Sequence, residues 1–322
     1  MRSRKNRAGL TFITIVLSII FMVFSEDIVQ AEGQIYWTDY VMGKVQKSNA
    51  EGGGTQELVT GLGSPRGIAV DLGEGKIYWS EAGSMKVKRS NLNGTGIETI
   101  YSGYGNEIYG VALDLSNRKI YWADRTGYSI VRANLDGSAR EVVFNTGSYS
   151  PYAIALDVDE ELIYWTESDW TDGHIWRASY NGIDKDEIVS GLKFPTGLAI
   201  DNANDRIYWT ERGMDSLDPQ LICSANVDGT DSQVLINEGL FAPTGIDLDL
   251  AGGKMYWVEP GWIKVRRANL DGTNIENIIT GPGGYPAPQL WDIEYVVPEP
   301  GTILLLGLGA AIVRSKRLKG KK

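Results

Sequence analysis

Residues 67–101 lay out a pattern that the rest of the chain repeats. Gly67–Asp71 reads GIAVD, an apolar run ending in an acid, and a Gly-containing turn leads to KIYWS at Lys76–Ser80. A second turn leads to MKVKRSN at Met85–Asn91, where apolar and basic positions alternate. Asn93-Gly94 makes a third turn, and IETIY at Ile97–Tyr101 closes the unit. Short runs of this kind bounded by turn dipeptides read as strands, and Asn-Gly accepts the positive φ that a two-residue hairpin turn requires. Asp136-Gly137, Asn181-Gly182, Asp228-Gly229 and Asp271-Gly272 stand at the matching place in later units. Each unit is predicted to be a four-stranded antiparallel meander.

The second strand of the unit recurs as IYWTD, IYWSE, IYWAD, IYWTE, IYWTE and MYWVE. Its tyrosines are Tyr36, Tyr78, Tyr121, Tyr164, Tyr208 and Tyr256, in steps of 42, 43, 43, 44 and 48 residues. Trp37, Trp79, Trp122, Trp165, Trp209 and Trp257 follow them, and the acids are Asp39, Glu81, Asp124, Glu167, Glu211 and Glu259. A catalytic motif occurs once, whereas even spacing marks architecture. A period of roughly 40–45 residues with strand patterning is that of a propeller blade. Within IYWTD, Ile35, Trp37 and Asp39 point one way and Tyr36 and Thr38 the other. Both faces are bulky, so both must be covered, as they are when a blade packs between two neighbours; a blade alone would not be stable. The acid is expected to be structural, accepting hydrogen bonds from neighbouring backbone or from an arginine.

These repeats resemble the YWTD (class B) repeats of the low-density-lipoprotein-receptor family over roughly residues 32–296. The resemblance implies an all-β fold: a six-bladed β-propeller of four-stranded antiparallel blades. Receptor-type propellers adjoin a disulfide-rich module, but Cys223 is the single cysteine here, so no intrachain disulfide can form and no ligand residue is carried over. The chain enters at the second strand of a blade. WDIEY at Trp291–Tyr295 follows Pro286-Ala287-Pro288 as first strands elsewhere follow a proline. Leu290–Tyr295 is therefore expected to close the ring in the blade begun by Gln34–Tyr40, with one strand from one end of the chain and three from the other.

The two ends read as addresses. Arg2, Arg4, Lys5 and Arg7 precede an apolar stretch over residues 8–25 and then Val29-Gln30-Ala31. That is the basic, apolar, small-residue order of a signal peptide, assigned to residues 1–31; an uncleaved anchor is the alternative. Residues 297–322 begin VPEP, continue through an apolar run of 12 residues from Thr302 to Val313, and end in a basic cluster. The run falls short of the roughly 20 residues that span a bilayer. The segment resembles the PEP-CTERM sorting signal of exopolysaccharide-producing Gram-negative-type bacteria. What it implies is export, transient membrane anchoring, processing by an exosortase, and release or surface attachment.

Charge narrows the partners. Between residues 32 and 297, 21 Lys and Arg face 38 Asp and Glu, a formal charge of −17. That excess disfavours nucleic acid and anionic membrane and is compatible with cations, basic proteins or neutral glycans. First strands begin near Arg66, Tyr109, Tyr152, Thr196, Thr244 and Gln289, which should ring the mouth of the channel. None is the Asp, Glu, Asn or His that a metal-dependent propeller hydrolase would place there. The lone His174 lies before the third strand of its unit, away from the axis. No catalytic residue, metal or cofactor is therefore expected, and His174 and Cys223 are taken as structural.

Loop lengths point to one face. Turns after first strands, such as Leu72–Lys76 and Leu115–Lys119, are short and uniform. Ser168–His174, Arg212–Gln220 and Tyr101–Tyr109 are varied, and in a meander these second-to-third and fourth-to-first connections emerge on the same side. That side collects Tyr40, Tyr104, Tyr128, Tyr149, Trp170, Phe194, Phe241 and Trp262, with Asp169, Asp172, Asp215 and Asp218. Loops on a rigid scaffold often carry function, and aromatics recur in binding hot spots. The reading is an exported, non-enzymatic binding or scaffold propeller of a cell surface or polysaccharide matrix, taking an extracellular protein or glycan on this face. The alternatives are an enzyme of the lactonase or lyase type and a purely structural matrix protein.

Overall fold

The computed structural model describes residues 32–298 apart from 106, 169–171, 214–217, 261–263 and 282–288. The propeller is one compact unit, Gly33–Val296. Its strands form six four-stranded antiparallel sheets. Blade 1 takes Leu290–Val296 as its innermost strand, followed outward by Gln34–Asp39, Lys44–Asn49 and Gln56–Val59. Blade 2 is Pro65–Asp71, Lys76–Glu81, Lys86–Asn91 and Glu98–Ser102. Blade 3 is Ile108–Asp114, Lys119–Asp124, Ser129–Asn134 and Glu141–Asn145. Blade 4 is Ser150–Asp157, Leu162–Ser168, Gly173–Ser179 and Asp186–Leu192. Blade 5 is Pro195–Asp201, Arg206–Glu211, Leu221–Asn226 and Gln233–Ile236. Blade 6 is Ile246–Asp249, Lys254–Glu259, Lys264–Asn269 and Glu276–Thr280. The ring closes as the sequence implies: Ile35 pairs with Tyr295 and Trp37 with Ile293.

Why Tyr-Trp recurs is visible in the packing. The five motif residues are buried in every blade. The tyrosine of one blade shares a core with the tryptophan of the next: Tyr36 with Trp79, Tyr78 with Trp122, Tyr121 with Trp165, Tyr164 with Trp209, Tyr208 with Trp257, and Tyr256 back to Trp37. Each blade thus supplies one half of each of its two interfaces, and nearest-neighbour packing carries the fold.

The small residue of the motif fastens the innermost strands together. Thr38, Ser80 and Thr210 donate their hydroxyls to the carbonyls of Arg66, Tyr109 and Thr244 in the following blade. Each accepts in return an N–H from its own inner strand, from Asp292, Gly67 and Gly197. Third-strand arginines do the same near the periphery. Arg89, Arg132, Arg177 and Arg267 reach the carbonyls of Leu135, Tyr180, Val227 and Ala50 in the next blade, at 3.0, 3.1, 3.2 and 3.4 Å.

The acid of the motif is part of the same frame, with a partner that the sequence did not suggest. Where it is glutamate it takes the indole N–H two residues earlier: Trp79 to Glu81 at 3.1 Å, Trp165 to Glu167 at 2.5 Å, Trp209 to Glu211 at 3.3 Å and Trp257 to Glu259 at 3.0 Å. In the two aspartate blades the acid serves the next loop instead. Asp39 accepts the amides of Met42 and Gln289, both at 3.0 Å, and Asp124 accepts that of Gly127 at 2.7 Å.

The outer turns are equally constrained. Gly229 has φ 81°, and a Cβ there would overlap the carbonyl oxygen of Ile188 in the preceding blade. The dipeptide thus meets a packing demand as well as a turn demand. Gly229→Ala should cost about 2 kcal/mol or more, whereas Asp228→Ala, which removes the exposed turn acceptor of the Thr230 amide and hydroxyl, should cost about 1 kcal/mol. Urea titration should show a lower midpoint with unchanged slope for Gly229→Ala. A midpoint equal to that of Asp228→Ala would show that the blade contact is dispensable.

Candidate functional site: the arginine and aromatic mouth

The first-strand position preceding the tight inner-strand contact is occupied, around the ring, by Arg66, Tyr109, Tyr152, Thr196, Thr244 and Trp291. Trp291, not Gln289, is the blade 1 member: the Gly67 level is taken there by Asp292, which places the ring residue two positions later than expected. Gln289 sits at the strand's edge, where its amide meets Asp39.

Aromatic side chains from four blades pack across the mouth. Tyr40 meets Trp291 edge-on at 5.7 Å; Trp291 meets Tyr109 at 5.4 Å, Tyr109 meets Tyr152 at 5.3 Å, and Tyr152 meets Phe194 at 5.2 Å. All but Tyr40 are buried. Arg66 lies among them, its guanidinium 4.0 Å from the Tyr40 ring centre and 3.9 Å from that of Trp291, and 5.0 Å from Tyr109. Contacts at this range are favourable cation–π geometry. Its Nε and Nη1 are nevertheless buried without a hydrogen-bond acceptor. Burial lowers the Arg66 pKa from its ordinary value, and the neighbouring Arg212 cation lowers it further, while Tyr109 and Tyr40 act the other way.

Two further cations complete the mouth. Arg212 lies 5.8 Å over Trp291. Arg125 lies 5.4 Å over both Tyr109 and Tyr152, donates to the Tyr152 hydroxyl at 3.2 Å, and pairs with Glu107 at 2.5 Å. Arg66, Arg125 and Arg212, sharing the Tyr109 and Trp291 rings, form a cationic spot on a molecule whose folded region carries a large negative charge. The ring positions hold Arg, Tyr, Thr and Trp, side chains that carry hydrogen-bond donors.

The loop residues singled out in the sequence do not form one cluster. Tyr104, Tyr128 and Phe241 are exposed on the connecting loops. Tyr40 and Phe194 are part of the mouth's packing, and Tyr40 is half-buried. Tyr149 packs on His174 at 4.9 Å, and Asp172 lies 3.5 Å from the same imidazole. Asp218 is half-buried beside the loop following blade 5's second strand. Asp169, Trp170, Asp215 and Trp262 lie outside the described residues. Arg66, Arg125, Arg212 and Trp291 were not singled out as ligand-binding residues from the sequence, although Arg66 was placed on the ring.

His174 is within the third strand of blade 4, not before it, opposite Glu167, and its Nδ1 is 3.1 Å from Glu187. Blade 4, like blade 5 with Cys223, has no Lys or Arg opposite its motif tryptophan. In blades 2 and 6, Lys88 and Arg266 stand opposite the tryptophan and reach Glu81 and Glu259, each at 2.8 Å. Trp176 fills that place in blade 4, and burial pushes the Glu167 pKa up to about 7. Cys223 is a free, buried thiol, pushed up by burial and by adjacent Glu211. Such a thiol is inert. Among the described residues, no group of three or more His, Cys, Asp or Glu is arranged to hold a metal ion.

Residues 118–158 match the low-density lipoprotein receptor repeat class B, and residues 296–317 match the PEP-CTERM protein-sorting motif. The first match spans one blade-length repeat and the second the C-terminal sorting segment. A solved nidogen/laminin complex contains a chain similar at 20% identity and a TM-score of 0.71, covering 83% of this chain and 99% of that one. TolB from Acinetobacter baumannii is similar at 10% identity and TM-score 0.66, covering 82% of this chain and 66% of that one. A gluconolactonase from Xanthomonas campestris, XC5397, is similar at 17% identity and TM-score 0.57, covering 71% and 78%. These likenesses share the fold, and a propeller fold carries many activities. The sorting motif marks the chain for export through a Gram-negative-type route with membrane retention and exosortase processing.

Proposed function

We propose that this protein is a non-enzymatic binding propeller that reaches the cell surface or the extracellular matrix and takes an extracellular protein or glycan on the face that carries the mouth. The observation that supports this reading is Arg66. It is a cation held in an aromatic box with two buried N–H groups lacking acceptors. An unsatisfied buried donor costs about 1–3 kcal/mol and is sustained where something else gains from it. A ligand oxygen seated among Arg66, Arg212 and Arg125 would supply the missing acceptor, while the exposed Tyr104, Tyr128 and Phe241 would enlarge the contact. The nidogen-containing complex supports the same reading by analogy of fold: it pairs nidogen with laminin.

The test begins with residues 32–298 screened against surface proteins and glycans. For the partner found, Arg66→Gln and Arg212→Ala should each weaken binding by about 2 kcal/mol. Glu74→Ala and Asn117→Ala, in the short turns at the opposite end of the inner strands, should leave binding unchanged. Loss from the turn variants alone, or equal loss from both sets, would move the site away from the mouth.

A further inference from the structure

A second set of charges lies deeper along the axis. The innermost strands of blades 2 to 5 share an alanine at one level, at Ala69, Ala112, Ala155 and Ala199, but blades 6 and 1 place Asp247 and Glu294 there. One step towards the mouth, the level held by Gly67, Gly110, Ala153, Gly197 and Gly245 is occupied in blade 1 by Asp292. The three carboxyls are thus confined to the seams on either side of the closing strand Leu290–Val296, and all three line the axial cavity of about 290 Å³.

Their hydrogen bonds explain the placement. An innermost strand has an edge with no strand beside it, so its amides need other acceptors. Asp247, in blade 6, accepts the Tyr295 amide of the closing strand at 2.6 Å. Asp292, on the closing strand, accepts the Ile68 amide of blade 2 at 3.1 Å, and Glu294 accepts that of Val70. The closing strand is held to both neighbours through carboxyl oxygens.

The surroundings supply little countercharge. The charges acting on Asp292 and Glu294 are those of their fellow carboxyls. Blade 2 presents amides, with Arg66 turned over Trp291. The second strand of blade 1 offers the Thr38 hydroxyl to the Asp292 amide. Blade 6 contributes Tyr256, stacked on Tyr295 at 5.2 Å, and Asp249, which bonds the Tyr295 hydroxyl. Burial raises Asp247 to about 6 and Asp292 to about 7, outweighing the amide hydrogen bonds that lower both, with repulsion from Asp247 adding to the latter. Glu294 is pushed well above its ordinary value by burial first and by both aspartates next.

We propose that Asp247, Asp292 and Glu294 form a proton-operated latch on the closing strand, holding it in the ring when protonated and loosening it when ionised. The sign follows from the raised folded values. The stabilisation is complete below the ordinary carboxylic range, near pH 4, and is lost as pH rises through about 6 to 7. Loosening concerns this strand because both of its seams carry the like charges, while the Ala and Gly seams elsewhere carry none.

Hydrogen exchange read by mass spectrometry on residues 32–298, corrected for the chemical exchange rate, tests this directly. Between about pH 5.5 and pH 8, protection of peptides covering residues 34–39 and 290–296 should fall about tenfold or more. Peptides covering residues 150–168 in blade 4 should hold steady. The double variant Asp247→Asn, Glu294→Gln should reduce the difference severalfold, leaving only what Asp292 contributes. If that variant does not fold, Asp292→Asn alone should reduce the pH dependence. A closing strand whose protection tracks blade 4 at every pH, or folded variants that keep the full pH dependence, would overturn the latch.

Discussion

A chain ended at Gly281 will not form a closed, monomeric ring. The missing strand carries Leu290, Trp291 and Ile293, all buried. Burying three such side chains is worth on the order of 6 kcal/mol, which is comparable to the whole stability of many domains. The truncation also strips Gln34–Asp39 of its partner on one side, leaving a row of unpaired backbone groups ready to pair with another chain. It further removes the Trp291 ring from beneath Arg66. Residues 32–281 should therefore melt roughly 15 °C below residues 32–296, or without a cooperative transition. They should also associate on a size-exclusion column with light-scattering detection. A truncated protein that stays monomeric and keeps its melting temperature would mean that blades 2 to 6 hold the ring unaided.

Much of this frame was legible in the sequence because it is local and repeated. Ile35 to Asp39 show the two-sided bulk of a strand covered on both faces, and the evenly spaced copies of Tyr-Trp imply neighbours on both sides. Closure could be read because WDIEY has the pattern of a first strand that no other blade needs. What escaped notice depends on residues far apart in sequence. Arg66 is an ordinary surface-type residue until Tyr40, Tyr109 and Trp291 arrive from two other blades. The blade 1 ring position was set two residues early because Asp292 replaces the small residue that marks this level in the other blades. The same substitution was the one available clue to the seam carboxyls: GIAVD, GVALD and GLAID keep Ala where GIDLD and DIEYV do not. The acid of the motif was recognised as structural, but its indole partner requires the i, i+2 geometry of one strand face and a side chain as long as glutamate.

That partnership ranks the core tryptophans. Trp257 is fully buried among residues of blades 5 and 6, and its indole N–H bonds Glu259, which also holds Arg266. Trp257→Ala should cost about 3–5 kcal/mol, since the lost contacts and the remaining cavity add. Phenylalanine substitutions separate packing from hydrogen bonding. The Trp122 indole nitrogen is buried without a partner, so Trp122→Phe removes no bond and should be the mildest of the three. Trp257→Phe loses a bond to a carboxylate that keeps its arginine. Trp165→Phe should be the most damaging, because Glu167 has no Lys or Arg of the Lys88 or Arg266 kind opposite Trp165, and the indole, with a smaller contribution from Lys185, lowers its pKa against the burial that raises it. Without that donor the Glu167 pKa rises further above about 7. A raised folded value means stability lost with rising pH, so the Trp165→Phe penalty should be larger at pH 8 than at pH 5.5, by about 1 kcal/mol for each unit of added shift. Chemical denaturation of the three variants at both pH values checks the order and the pH effect together. Equal penalties, or a Trp165→Phe cost indifferent to pH, would show that the indole–glutamate bond contributes nothing beyond packing.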